Sequence, residues 1–361
     1  MSCDDQALRQ VRARIDELDA AIQQLIVERA QCAHRIAELK QSAPGTLFYR
    51  PEREAQVLRS VMARDVGLLS APNMAHIFRE IMSACLAVEQ PLQVAFFGPS
   101  GTFTHEAALK HFGHAVAVVP QVTIADVFRA VATQRCDYGV VPVENSTEGS
   151  VNQTLDALRS SPLNICGEVV LRVHLQLLSL AEERVQVRRI YGHQQALAQC
   201  RAWLDTHMAG VEQVAATSNG EAARLAAEEP SSAAVASVAA GEIYGLKTLA
   251  SNIEDEPDNT TRFLVVGQQT PGPSGRDKTS LLLMTGNQPG ALFRALSPFA
   301  QHGISMTRIE SRPSRRGAWD YVFFVDLEGH VQDEKIASAI RELESQITQV
   351  KVLGAYPRAV L

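Results

Sequence analysis

The chain has 361 residues, too many for a single hydrophobic core and suited to two or three domains. With 46% hydrophobic and 20% charged residues it reads as an ordinary globular protein, and a formal charge of −6 excludes the basic character of a general nucleic-acid binder. No basic-apolar leader and no run of ~18 apolar residues occurs, so a cytoplasmic, membrane-free protein is expected.

Cys3, Cys32, Cys85, Cys136, Cys166 and Cys200 are scattered without a Cys-x-x-Cys pair, the pattern of free thiols in a reducing compartment. The ten histidines are equally dispersed, with no His-Glu-x-x-His, so neither a metal nor a cofactor is expected.

Residues 1–90 read as helix. Leu8, Val11, Ile15, Leu18, Ile22, Leu25, Cys32, Ile36 and Leu39 recur at alternating three- and four-residue steps, the spacing of a helix seam. Pro44-Gly45 breaks the pattern. A second helix is expected from Pro51 and a third over 72–89, closed by Pro91. Arg29 falls inside the apolar seam, and Lys40, 11 residues on, projects within about 20° of it. Arg53 and Glu54 precede Val57, Leu58 and Val61 at helical spacing, which turns Glu54 inward; Ile81, Cys85 and Glu89 are successive i, i+4 neighbours, which aims Glu89 at the core. One reading is a coiled coil with a tolerated arginine and solvated flanking charges. The other is a cationic site that a small dianion completes, because an unpaired buried charge is strongly destabilising.

Over 92–269 the pattern becomes α/β, with short apolar strands (94–97, 140–143, 235–236, 263–266) between helical stretches such as 124–133 and 196–205. Phe97-Gly-Pro-Ser-Gly-Thr feeds a helix at about Thr102 and presents free N–H groups, without the lysine of a phosphate loop or the spacing of a dinucleotide fingerprint. Tyr138-Gly-Val-Val-Pro-Val-Glu-Asn-Ser reads as a strand that ends at Pro142 and hands over to Glu144, Asn145 and Ser146. Asp258-Asn-Thr-Thr-Arg-Phe-Leu-Val-Val-Gly sets Thr260, Thr261 and Arg262 at the mouth of a buried strand, a hydroxyl beside a fixed cation.

Thr270-Pro-Gly-Pro-Ser-Gly-Arg is a linker by composition. Residues 278–356 then follow a βαββαβ order, the ferredoxin-like pattern. Asn287-Gln-Pro-Gly-Ala-Leu-Phe opens its first helix, and Glu310-Ser-Arg-Pro ends a strand.

These motifs, in this order over 8–359, resemble the bifunctional chorismate mutase/prephenate dehydratase family. The resemblance implies all-α chorismate mutase helices, a two-lobed α/β periplasmic-binding-protein-like domain, and an α+β ferredoxin-like ACT domain. It implies chorismate and prephenate as substrates, phenylalanine as inhibitor, and a homodimer or higher homo-oligomer with interlocked helices. Arg12, Arg29, Lys40, Arg53 and Glu54 match the family's mutase site, with Arg12 supplied by the partner subunit. Three positions depart from the best-known pattern: Arg50 for Asp, Cys85 for Ser, and Glu89 for a Gln that donates to the ether oxygen. Since a carboxylate donates only when protonated, mutase activity is expected to fall as pH rises through the Glu89 pKa. At the dehydratase site the resemblance implies Thr261 as the essential hydroxyl and Arg262 as a carboxylate clamp. Glu144, Asn145 and Ser146 would position the ring or relay a proton, with Thr102 and Ser218 as further contacts. His193 sits where the family often has Ser-His-Pro-Gln, but the surroundings read Gly192-His-Gln-Gln, and a structural role is expected. Phenylalanine is implied at Asn287, Gly290, Ala291, Leu292, Glu310, Ser311 and Arg312. A monofunctional dehydratase with a helical dimerisation segment, and an amino-acid-sensing binding protein, are the alternatives.

Overall fold

The computed structural model describes residues 3–41 (side chains 5–39), 49–286, 288–313 and 321–361. It opens with α1 (Cys3–Gln41), α2 (Pro51–Met62) and α3 (Ala71–Glu89). α1 runs without Gly or Pro for 39 residues, about 58 Å at the α-helical rise. Pro51 occupies the start of α2 with Glu52 and Glu54 in the first turn, where carboxylates favour the helix dipole. Ser70 caps α3 by accepting the Asn73 N–H at 3.3 Å. Both α1 and α2 pack on α3, the latter through Leu58, Ala75 and Met82, with Val360 and Leu361 of the C-terminus against them. The seam residues of α1 from Leu8 to Leu25 are 45% to 64% exposed.

The first lobe follows: β1 (Gln93–Phe97), α4 (Phe103–Phe112), β2 (Ala117–Gln121), α5 (Ile124–Ala132), β3 (Tyr138–Asn145), β4 (Gly149–Ser150), α6 (Asn152–Ser160) and β5 (Asn164–Arg172). The chain crosses to a second lobe of β6 (Gln176–Ser179), β7 (Arg189–His193), α7 (Gln194–Gln199), α8 (Arg201–His207), β8 (Glu212–Ala216), α9 (Asn219–Glu228), β9 (Ser232–Ala236), α10 (Val238–Tyr244) and β10 (Lys247–Ala250). It returns as β11 (Thr260–Gly267). The first sheet has the order β2-β1-β3-β11-β5, with β4 on β3, and the second β10-β6-β9-β7-β8. The lobes are therefore joined by two crossings, 172–176 and 250–260, tied where the Val173 N–H donates to the Asn259 carbonyl at 2.8 Å.

Two local expectations change. β3 does not stop at Pro142 but runs to Asn145; the proline lies where the pairing with β11 shifts register between Arg262 and Phe263, and a bulge tolerates a residue without an N–H. The helix expected over 196–205 divides at Cys200 into α7 and α8.

The C-terminal unit comprises β12 (Asp277–Thr285), α11 (Ala291–Gln301), β13 (Met306–Pro313), β14 (Tyr321–Glu328), α12 (Glu334–Gln346) and β15 (Gln349–Pro357). Its antiparallel sheet has the order β13-β14-β12-β15. One face carries α11 and α12 over Leu281, Leu283, Val325 and Leu327. The other merges Leu282, Val322, Phe324, Leu353 and Tyr356 into the core of the first lobe. Backbones meet there: a Cβ on Gly354 would lie 2.3 Å from the Ile165 carbonyl oxygen, so only glycine fits.

Candidate active sites

β11 lies between β3 and β5, with Thr261 opposite Asn145 and Leu171. Strand alternation sends Thr261 and Arg262 to opposite faces. On the Thr261 face, the Asn145 Oδ1 accepts the N–H groups of Thr147 and Glu148, both at 3.0 Å. Its Nδ2 then donates to Thr261 Oγ1 and to Asn259 Oδ1, both at 2.8 Å. Asn259, 3% exposed, donates in turn to Gln199 Oε1 of the second lobe at 3.0 Å. Ser146 locks the loop to the strand: its Oγ accepts the Thr260 N–H and its own N–H donates to the Thr260 carbonyl, both at 2.9 Å.

Thr102 and Ser218 spend their hydroxyls on helix ends. Thr102 Oγ1 accepts the His105 N–H at 3.4 Å and donates to the Pro99 carbonyl; Ser218 accepts the Glu221 N–H at 3.0 Å. The two capped turns face each other across the lobes, since a Cβ on Gly220 would stand 2.5 Å from the Ser100 carbonyl oxygen. His193 caps α7 by accepting the Gln195 N–H. Burial lowers its pKa, with Glu148 of the first lobe opposing.

Arg262 corrects an expectation. Its guanidinium turns away from Thr261 into the junction with the C-terminal unit. There it donates to Glu168 at 2.8 Å, Asp326 at 2.6 Å and the Tyr356 hydroxyl at 2.9 Å. Burial disfavours the charge, but Tyr356, Asp326 and Glu168 outweigh it and hold Arg262 protonated. Burial likewise opposes the charge on Asp326, yet Arg262 and Ser280 keep its carboxyl below the usual range. Glu144 shares this side, 3.3 Å from Arg308 and 3.7 Å from Arg262. Through Asp326 and Arg308 the pair ties the first lobe to the C-terminal unit.

In the helical segment Arg12 is exposed and Arg29 half-buried on α1, 17 residues apart, or about 26 Å along the axis. Glu54 does not face them. It pairs at 3.1 Å with Arg79 of α3, both nearly buried; burial raises its pKa and Arg79 opposes the rise. Arg50 binds Glu52 at 3.0 Å, and Arg53 is exposed. Cys85 is buried, and Glu89 is half-buried one turn further along α3. The Lys40 side chain lies outside the described residues.

The expected phenylalanine set divides between the two faces of its sheet. Glu310 stands opposite Phe324 and Ser311 opposite Phe323, and those neighbours belong to the first-lobe core and the helix-side core respectively. Glu310 accordingly accepts the Ser150 hydroxyl at 2.8 Å, and Arg312 lies 3.4 Å from Asp156, both first-lobe partners. Ser311 points to the helix side, the face covered by α11, which starts after Gly290 (φ 75°) with Ala291 and Leu292. Asn287 lies outside the described residues.

Family models match prephenate dehydratase over residues 94–271, chorismate mutase type II over 11–90, and the ACT domain over 279–345. A bifunctional chorismate mutase/prephenate dehydratase of Stutzerimonas stutzeri is 51% identical over 359 residues, 98% of each chain. The chain belongs to this bifunctional family. Among solved structures, prephenate dehydratase from Arthrobacter aurescens in complex with L-Phe matches with a TM-score of 0.69 and 34% identity, over 74% of this chain and 90% of that one. A protein described as a novel type of quorum quenching acylase, GqqA, matches with the same TM-score and 33% identity, over 74% and 98%.

In this chorismate mutase/prephenate dehydratase, Asn145, Ser146 and Thr261 come together at the lobe seam, while Glu144 and Arg262 part from them. Asn259 and Gln199 complete the network and were not singled out in the sequence. Asn259 sits in the polar cluster beside Thr260, whereas nothing local distinguishes Gln199. Among the described residues no group of His, Cys, Asp or Glu is arranged to hold a metal, and no helix is long and apolar enough to cross a membrane.

Proposed function

We propose that this family member dehydrates prephenate at the seam between the lobes, with Thr261 as hydrogen-bond donor to the departing ring hydroxyl. Chorismate is rearranged on the helical segment, in a site completed by a second subunit. The direction of one hydrogen bond carries the first assignment. Asn145 donates to Thr261 Oγ1, so the threonine proton remains free for a ligand. Loss of the hydroxyl as water, with the ring carboxylate leaving as CO2 and the ring becoming aromatic, calls for such a donor. Acyl transfer, the activity named for GqqA, needs a base to take the proton of the nucleophile. An amide whose oxygen already holds two N–H groups cannot do that.

The pericyclic rearrangement needs no nucleophile; cations fix two carboxylates and stabilise charge at the breaking ether bond. Arg12 and Arg29 of one chain are too far apart to share a small dianion. The exposed apolar seam of α1 supports a helical dimer in which Arg12 crosses to the partner. Phenylalanine inhibition is assigned to the ACT domain, at the start of α11 and Ser311, and acts by differential affinity for two states.

The test uses purified full-length protein. Prephenate should give phenylpyruvate and chorismate should give prephenate, with Thr261→Ala losing the first reaction by about a thousandfold and keeping the second. Equal loss of both would mean that Thr261 holds the fold. Absence of the second activity in the wild type would leave a monofunctional dehydratase with a dimerisation segment.

A further inference from the structure

Asn259 sits on the crossing between the lobes. Its carbonyl ties the two crossing segments through the Val173 N–H, and its buried side chain bonds to both lobes, Asn145 in the first and Gln199 in the second. The polarity of this chain is fixed by chemistry. The N–H groups of Thr147 and Glu148 only donate, so the Asn145 atom facing them is oxygen. The opposite atom is then nitrogen, and the Asn259 atom it meets is an acceptor. With one Asn145 hydrogen given to Asn259, the other points to Thr261 Oγ1, which becomes an acceptor on that side.

We propose that Asn259 is a positioning residue for the dehydratase reaction. By accepting from Asn145 while anchored to Gln199, it holds the Asn145 amide in the orientation that leaves the Thr261 proton directed at substrate. The inference rests on the assignment of Thr261 above. Without the Asn259 acceptor, the Asn145 amide can swing toward the Thr260 carbonyl, 3.5 Å away, and the Thr261 hydroxyl is free to turn its proton inward. The effect should fall on the chemical step, because a donor aimed at the leaving group is needed most in the transition state.

The experiment measures kcat and KM for prephenate, chorismate mutase activity and thermal stability in full-length Asn259→Ala, Asn259→Asp and Thr261→Ala. Asn259→Ala should lower dehydratase kcat by roughly a hundredfold, with KM little changed. Asn259→Asp should stay within about threefold of wild type: its carboxylate accepts from Asn145, and Gln199 can reverse its amide to donate. Mutase activity should be unaffected in both. A kcat retained in Asn259→Ala overturns the proposal. So does equal loss in Asn259→Ala and Asn259→Asp, which would assign the residue to the shape of the crossing. If Asn259→Ala fails to fold, the Asp variant alone decides: retained kcat supports the polarity argument and lost kcat overturns it. Full dehydratase activity in Thr261→Ala would sink the underlying site assignment instead.

Discussion

In the helical segment, Arg12 and Arg29 stand about 26 Å apart along one helix, exposed or half-exposed, and Glu54 is turned onto Arg79. At the lobe seam, Thr261, Asn145, Asn259 and Gln199 form an unbroken chain of hydrogen bonds of 2.8 to 3.0 Å within one subunit. The difference is one of preorganisation. A fixed donor needs no reorganisation at the moment of reaction, and with Thr261 in the proposed role one chain supplies it complete. On the reading proposed above, the cationic site of the exposed helix takes a second subunit both to cover the seam and to bring the missing charge.

The sharpest break between the regions is a pair of variants. Arg29→Ala should lower mutase turnover by roughly a thousandfold and leave prephenate dehydration near normal, the mirror image of Thr261→Ala. An Arg29→Ala protein with unchanged mutase turnover would return the arginine to a tolerated seam position. Mixing extends the test. Arg12→Ala and Arg29→Ala subunits, each inactive alone, should regain about a quarter of wild-type mutase activity once exchanged. Half of the dimers are then mixed, and each holds one intact site. No recovery after demonstrated exchange would mean that Arg12 acts within its own chain or not at all.

How far the sequence carries depends on whether a residue acts along its own element or across a junction. The α1 seam, the βαββαβ order of the ACT domain, and Thr261 at the mouth of β11 follow from periodicity and local composition. Arg262 and Glu310 do not. Each sits in a motif beside a candidate ligand group, but strand alternation sends it to the other face, where Asp326 or Ser150 waits from a different domain. Gln199 meets Asn259 across 60 residues of chain, and only the folded crossing brings them together. Pro142 misled for a local reason, because the bulge that accommodates it is a property of the strand pair.

The Arg262 junction offers a test of intermediate size. If Arg262 binds the ACT domain to the first lobe, Asp326→Asn should destabilise the protein by about 2 kcal/mol, since it removes one carboxylate from a buried guanidinium that keeps Glu168. Denaturant midpoints with an unchanged m-value would register this. Unchanged stability, together with an Arg262→Lys variant altered only in KM for prephenate, would restore the role of substrate clamp.

The smallest expected effect concerns how the helical segment is held against the dehydratase. Tyr49, just before α2, has its hydroxyl 3.0 Å from His111 Nε2 on α4, beside a cavity of about 30 Å³ lined also by Glu54, Arg79 and Gly167. Burial, and then Arg79, push the His111 pKa down to about 3, so the imidazole is neutral where it meets the tyrosine hydroxyl. A folded pKa below the unfolded value of about 6.5 means that the unfolded chain binds a proton first. Stability is therefore full above pH 6.5 and is lost as pH falls toward 3. Between pH 6.5 and 5.5 the loss from this group is about 1 kcal/mol. Glu54 acts in the opposite sense: burial raises its pKa, so its contribution is present below about pH 4.5 and declines as pH rises. His111→Gln keeps a hydrogen-bond partner for Tyr49 and cannot titrate, so its stability should be flatter than wild type by that same amount between pH 6.5 and 5.5. Parallel profiles for the two proteins would show that folding leaves the His111 pKa unshifted, so that the imidazole gains its proton over the same range as in the unfolded chain.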